Sequence, residues 1–476
     1  MSQASPEPAE SPAVAANLGL WDAVSIIVGI VVGTAIFKTP QLVFMNVPGP
    51  WAGLGAWLLG GVLALFGSLC YAELATTYPR MGGDYVYLTR AFGRCVGFLF
   101  GCAQLAVILT GSIGAMAYAF ADYACTLWSL DASWGVWFAV GSVIVLTLLN
   151  LAGVIFGKIV QNLLTVVKVL GLVGIVIAGL AWGGGVAWAG QKPPGDWSFG
   201  LAMVFVLYAY GGWNDAAFVA AEVRDRRRNM PRALLLGTGG IMIIYLLVNA
   251  AYLWGLGFDR VRDSSAPAAE VLALALGEKG SQGMSLLVML SALGAMNGLI
   301  FTGARIYAGL GADHWIFGWL GRWNARRGAP VLSLLAQAVV SLLLILVVGT
   351  KTGQDSVDHA LSAVGMWPLP WAKYFGGFNT LVAGTAPVFW MFFLLTGISL
   401  FVLRIKDRGI ERPFSAPLFP LEPVLFCAMC LYMLYSSVEY AMGLSLLGFV
   451  PLAIGLPLYW ISRSQTATVR DQEKAE

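Results

Sequence analysis

Gly29-Ile-Val-Val-Gly33-Thr34-Ala35-Ile36-Phe37 lies inside a continuously apolar stretch that runs from about Ala23 to Val43. A helix that only has to cross a bilayer needs neither the glycines nor the threonine. Two glycines and a threonine in mid-span favour local unwinding, which frees backbone N–H and C=O groups where no water can satisfy them. Irregular backbone is tolerated at that depth only where it is buried in protein or lines a cavity. The segment therefore predicts a helical membrane protein with a polar ligand site inside the membrane.

The composition agrees. Of 476 residues, 58% are hydrophobic and 11% are charged, against about 25% charged in soluble domains. The apolar runs are long and continuous, which excludes the short alternating segments of a β-barrel. Runs of roughly 20 residues suffice to cross a bilayer. They predict twelve spans, near 19–45, 51–78, 96–128, 135–153, 160–183, 197–222, 233–257, 284–311, 330–348, 384–404, 421–441 and 444–461. Residues 1–17 are polar, acidic and lack the basic start of a signal peptide, and they read as a disordered cytoplasmic tail. Residues 18–404 form the expected core, 405–462 a loop with two further spans, and 463–476 a second cytoplasmic tail. The stretch 351–383, with Trp367-Pro-Leu-Pro-Trp371, reads as a long outer connector with room for a short membrane element or lid.

Positive charge orients the chain. With the N-terminus inside, 20 of the 28 lysines and arginines fall on inner loops, six on outer loops, and Lys38 and Lys168 within spans. Both termini are expected on the cytoplasmic side of a cell (inner or plasma) membrane. The net charge is only +3 and no basic run is interleaved with aromatics, so no nucleic-acid partner is expected.

Nothing suggests an enzyme. His314 and His359 read as unpaired loop residues. Cys427-x-x-Cys430 has the spacing of half a metal site, but no second pair completes it. Catalytic residues, metal and cofactor are all expected to be absent. An accessory subunit is not expected either, since Cys125, near the outer end of span three, is the only cysteine placed for a bridge.

Span six holds a second break, Tyr208-Ala209-Tyr210-Gly211-Gly212-Trp213-Asn214-Asp215. Spans one and six open two five-span halves, near 18–183 and 197–404. Interrupted segments at corresponding positions of two halves are the general sequence sign of a transporter site at an inverted-repeat interface. Either glycine cluster alone could instead serve close helix packing, as Gly29-xxx-Gly33 and Gly93-xxx-Gly97-xxx-Gly101 would allow. Half-helix N-termini suit a carboxylate and free carbonyls suit an ammonium, so two opposed breaks match an α-amino acid.

Several motifs resemble the amino acid–polyamine–organocation (APC) superfamily and its L-type amino acid transporter branch. Gly33-Thr-Ala-Ile-Phe37 with Thr39-Pro40 is similar to the superfamily's first-span element. Tyr71-Ala-Glu-Leu-Ala-Thr-Thr-Tyr-Pro-Arg-Met-Gly-Gly-Asp-Tyr85 is similar to its second span and first inner loop. Phe205 to Asn214, Glu222-Val223, Arg228 to Ala233, and Asn297 to Arg305 resemble the L-type branch. The similarity runs over most of residues 18–412. It implies a LeuT-like five-plus-five inverted repeat with discontinuous helices one and six, and alternating access around a fixed site.

By this resemblance Val31 to Ala35 and Tyr208 to Gly211 line the site, Ala209 among them, and Asn214 is expected to bind substrate with them. Gly33, Thr34 and Ala35 would hold the substrate carboxylate, through backbone N–H groups and the Thr34 hydroxyl. Carbonyls near Val31 and Tyr208 would take the amino group, and Tyr208 would be the gate. Ala35 departs from the family's usual glycine and narrows the approach.

Lys168 lies in span five, where a charge is costly. It either snorkels to the inner surface or, as the resemblance implies, replaces a sodium ion beside the unwound first span; a lysine that releases its proton there would also serve as a proton carrier. Asp215 either caps the lower half-helix, the plainer reading, or meets a polar or cationic substrate side chain. Lys38 is expected to snorkel outward. Glu73, Asp84 and Glu222 are expected to form inner-gate ion pairs with Arg80, Arg224 and Arg228. The expected function is sodium-independent transport of neutral L-amino acids by exchange or facilitated diffusion. Proton-coupled symport and polyamine or cationic substrates are the alternatives within transport, and a non-transporting receptor or scaffold is the alternative outside it.

Overall fold

The computed structural model describes residues 16–185, 197–363, 365, 367–371 and 376–473. Most of the expected N-terminal tail, residues 1–15, lies outside these. Residues 16–18 are anchored: the Arg224 side chain donates to Ala16 O, and Leu18 exchanges backbone hydrogen bonds with Glu222 and Arg224.

The described chain is helical, with only isolated β-bridges. The helices are α1 (Leu20–Val31), α2 (Ala35–Met45), α3 (Pro50–Thr77), α4 (Asp84–Phe92), α5 (Arg94–Ala103), α6 (Leu109–Leu127), α7 (Gly135–Leu151), α8 (Val154–Trp182), α9 (Phe199–Ala209), α10 (Arg226–Leu256), α11 (Phe258–Asp263), α12 (Pro267–Leu276), α13 (Lys279–Asp313), α14 (Val331–Gly349), α15 (Lys351–Ala363), α16 (Gly376–Lys406), α17 (Leu421–Ala441) and α18 (Ser445–Glu473). A five-residue π-helical segment, Gln104–Ile108, joins α5 to α6, and a ten-residue 3₁₀ segment, Trp213–Glu222, follows α9.

Among the described residues nine helices are long and apolar enough to span a membrane, and the bent pair α1–α2 makes a tenth. The twelve expected spans are thus not all found as uniform helices. Span six fails on length because α9 is 11 residues long and its continuation is 3₁₀. In α18 the apolar part is short, and the helix runs on through Glu473. α15 is an amphipathic helix with no buried residue. The Asp358 carboxylate accepts from Leu369 N (2.9 Å) and Trp371 Nε1 (3.0 Å), which fastens the 367–371 segment to it.

Burial in α8 shows how the bundle is built. Leu163, Val166, Leu170, Val173 and Ile177 are exposed, while Gln161, Thr165, Lys168, Leu172 and Ile175 are buried. The apolar stripe faces outward, as a bilayer requires, and the polar stripe faces protein. That polar face meets Asn150 and Asn297: Asn150 Nδ2 donates to Asn297 Oδ1 and Asn297 Nδ2 to Gln161 Oε1, each at 2.8 Å. α1 lies against α8, α10, α13 and the 3₁₀ segment, whereas α2 lies against α9 and α11. The two broken spans therefore run antiparallel through the centre.

Ion pairs cluster at the end of the bundle where the chain begins. Arg305 pairs with Glu222 at 2.7 Å, both side chains 1% exposed. Glu73 pairs with Arg404 (2.5 Å) and Arg412 (3.4 Å), and Arg80 pairs with Asp313 (3.4 Å). The expected local partners are not the ones used, because each bridge reaches across the bundle to a segment remote in sequence. Asp84 forms no ion pair among the described residues and instead accepts from Tyr71 OH at 2.8 Å. His314 is a buried residue rather than an open loop position, set against the Phe98 ring and Ser462. Lys38 is exposed as expected, its Nζ lying over the Tyr123 and Phe378 rings.

The glycines of span one differ in what they do. A Cβ at Gly29 would collide with the Gln161 amide and the Thr165 hydroxyl, both hydrogen-bonded in place. A Cβ at Gly33 would meet nothing nearer than 3.7 Å. Gly29→Ala is expected to destabilise the protein by about 1–3 kcal/mol and Gly33→Ala to leave its stability nearly unchanged. Thermal unfolding of both variants in detergent checks this, and equal melting temperatures would refute it.

Candidate functional site

The break in span one is short. Val32 ends α1 with φ −74° and ψ 70°, and the chain turns 51° before α2 begins at Ala35. Gly33 N donates back to Val31 O at 2.7 Å. The N–H groups of Thr34 and Ala35 find no backbone acceptor among the described residues, and Thr34, at the N-cap position of α2, does not cap the helix with its own hydroxyl. Of the three residues expected to meet a carboxylate, Thr34 and Ala35 have free N–H groups. Gly33 does not, because its donor closes the turn.

The second break follows the same logic. Tyr210 N and Gly211 N close the end of α9, and Gly212 adopts φ +103°, where a Cβ would also press on Ile30. From there the chain enters the 3₁₀ segment, far longer than the usual three or four residues of such helices. Alanines at 216, 217 and 220, all buried, permit this tight winding against its neighbours.

Lys168 is 0% exposed and does not snorkel. Its Nζ donates to Gly29 O (2.7 Å), Val32 O (2.9 Å) and Ser291 O (3.0 Å). Three donors meet three acceptors, so the ammonium is fully hydrogen-bonded without a carboxylate partner. Gly294 makes the room, since a Cβ there would lie 2.8 Å from the lysine Cε and Nζ.

Between the two breaks lies a cavity of about 170 Å³. Val31, Gly33, Thr34, Ala35, Tyr208, Ala209, Gly211 and Asp215 line it, so eight of the expected site residues converge on one space. Asn214 does not line it. Successive 3₁₀ residues point about 120° apart, and Asn214 turns aside to donate to Asp215 Oδ1 at 3.1 Å. Asp215 does not act as a side-chain cap, for no backbone N–H among the described residues donates to its carboxylate. The Val31 carbonyl expected to take an amino group already accepts from Gly33 N and from Tyr245 OH.

Other lining residues were not anticipated. Gln104 enters from the π-helical segment of span three, a kind of local insertion that recurs at functional sites. Met116, Thr385 and Phe389 complete further walls. Tyr245 stands just behind, its hydroxyl within 3.0 Å of Val31 O and 3.2 Å of Ala209 O. One phenol thus serves both broken helices. No group of three or more His, Cys, Asp or Glu side chains that could hold a metal exists among the described residues, and the cysteines described are all free, with Cys125 buried.

Comparison with known proteins identifies the family. The amino acid permease family profile matches residues 18–460, and the chain belongs to that family. It is 27% identical to the b(0,+)-type amino acid transporter 1 of Mus musculus, over 89% of this chain and 82% of the relative. It is 27% identical to the serine/threonine exchanger SteT of Bacillus subtilis (strain 168), over 95% and 98%. It is 28% identical to the large neutral amino acids transporter small subunit 2 of Homo sapiens, over 97% and 83%. The resemblance to an L-type transporter of the APC superfamily holds. These relatives are membrane transporters of amino acids and not enzymes. The human relative is a small subunit by name, which cuts against the expectation that no accessory subunit is involved.

Tyr245→Phe removes the one donor shared by both breaks and leaves buried carbonyls short of a partner. It is expected to cost about 1 kcal/mol of stability and to weaken amino acid binding. Melting curves with and without substrate measure both effects, and a variant indistinguishable from wild type would count against the bridging role.

Proposed function

We propose that this member of the amino acid permease family moves L-amino acids, neutral ones foremost, across a cell (inner or plasma) membrane by sodium-independent exchange. The observation that carries the reading is Lys168. Its ammonium sits among the carbonyl oxygens of Gly29, Val32 and Ser291, an all-oxygen environment of the kind a small hard cation takes. A protein with a fixed cation already at that place has no need of a dissolved one. The exchanger among its relatives supports the exchange mode.

The substrate pose follows from the free groups. The Thr34 and Ala35 N–H groups and the Thr34 hydroxyl take the carboxylate at the N-terminus of α2. The amino group turns toward carbonyls at the ends of α1 and α9, with Gly211 giving close approach and Tyr208 closing one path as a gate. The antiparallel placement of the two broken spans supports two inverted five-span halves followed by two further spans. The charge bias supports cytoplasmic termini. Proton-coupled uptake is the second reading, favoured by the burial of Lys168, whose proton could then be the coupling ion.

Radiolabelled uptake into proteoliposomes tests the proposal. Uptake is expected to be unchanged when Na⁺ is replaced by choline and to rise several-fold with unlabelled amino acid inside. Lys168→Ala, which removes three charge-assisted hydrogen bonds, is expected to lower it by about tenfold or more. Sodium-dependent uptake, or wild-type transport by Lys168→Ala, would sink the role given to the lysine. Accumulation driven by an inward proton gradient would favour the second reading.

A further inference from the structure

One carboxylate in the wall of the cavity is short of donors. Asp215 is 6% exposed and lines the cavity. Its one hydrogen-bond partner is the Asn214 amide, on Oδ1, and no lysine, arginine or histidine among the described residues pairs with it. The remaining oxygen has no donor among the described residues. The neighbouring groups do not relieve it. Asn214 Oδ1 and Gln104 Oε1 are buried and without partners, and Gln104 lines the same cavity. Asp84, on α4, has an unpartnered Oδ1 of its own among the described residues. Lys168 cannot help, since all three of its donors are engaged elsewhere.

A buried carboxylate with one amide neighbour as its donor is costly. Serving as a helix cap would explain the residue, but no backbone N–H among the described residues reaches the carboxylate. Packing would not explain it, because an apolar residue at 215 would fill the same wall without the penalty. What the Asp215 carboxylate lacks is a second donor, and the cavity it lines is where one can arrive.

Resting on the transport reading above, we propose that Asp215 makes this site selective for amino acids whose side chain donates a hydrogen bond. A hydroxyl, amide or ammonium would be preferred over an apolar side chain of equal size. The substrate carboxylate is held at the start of α2, and its side chain extends toward Asp215 and Gln104. A matching donor completes the shell of Asp215. An apolar side chain instead buries the carboxylate with its oxygen unpaired. Asp215 is therefore a specificity-determining residue, and it acts by penalising the wrong substrate as much as by attracting the right one.

Matched pairs test this: serine against alanine, threonine against valine, and lysine against norleucine, each as competitor of uptake in proteoliposomes. For wild type the donor-bearing member of at least one pair is expected to compete at a concentration lower by about tenfold or more. That preference is expected to collapse toward unity in Asp215→Ala and to shrink in Asp215→Asn. The hydroxyl pairs and the ammonium pair show which donor the site takes. Equal competition in all three pairs, or a preference that survives in Asp215→Ala, overturns the proposal. The same compounds are also read as shifts in melting temperature of purified protein, which needs no transport. A donor-dependent shift lost in Asp215→Ala, without any uptake, keeps the proposal and overturns the transport reading. Shifts that do not distinguish the pairs overturn the proposal even if uptake is robust. If Asp215→Ala does not yield folded protein, Asp215→Asn carries the comparison alone.

Discussion

Two carbonyl oxygens at the break in span one and a third from within α13 converge on one ammonium. Lys168 takes those of Gly29 and Val32 from span one and that of Ser291 from α13, so the charge and the break solve each other's problem. A buried lysine needs oxygens to replace its water shell, and interrupted backbone needs donors to replace its helix bonds. Neither could persist at that depth alone. The rest of the centre is arranged around this exchange. Gly294 clears space for the side chain, Gly29 lets α1 approach α8, and Tyr245 supplies the donor that Lys168 cannot.

Much of this was legible in the sequence because the features are chemically out of place in a membrane. Glycines with a threonine at mid-span, paired glycines before Asn214 and Asp215, and a lysine in α8 all break the apolar pattern, and each marks a real irregularity of the backbone or a buried polar contact. The convergence of eight expected residues on one cavity follows from that. What was hidden belongs to tertiary geometry. The π-helical insertion that brings in Gln104 has no sequence signature. The partner of Glu222 is Arg305, far along the chain on α13, and nearer arginines were the natural guess. Asn214 sits within the motif, yet 3₁₀ winding rather than α winding decides where it points.

The span count shows the same limit from the other side. Hydropathy registers how apolar a segment is, not whether it stays one helix. Span six is apolar enough to be found, but its two halves follow different helical geometries. A chain that places its site in its irregular segments is least predictable where it is most functional.

The 3₁₀ segment has a mechanical meaning beyond the direction of its side chains. Such a helix rises about 2.0 Å per residue, an α-helix about 1.5 Å. Ten residues from Trp213 to Glu222 are therefore held about 5 Å longer than they would be as α-helix, one end fixed beside the cavity and the other fixed by the buried Arg305 pair and the Leu18 strand contact. The segment is a stretched tether between the cavity and the ion-paired end of the bundle, and rewinding it as α-helix would draw those two places together by about one helical turn.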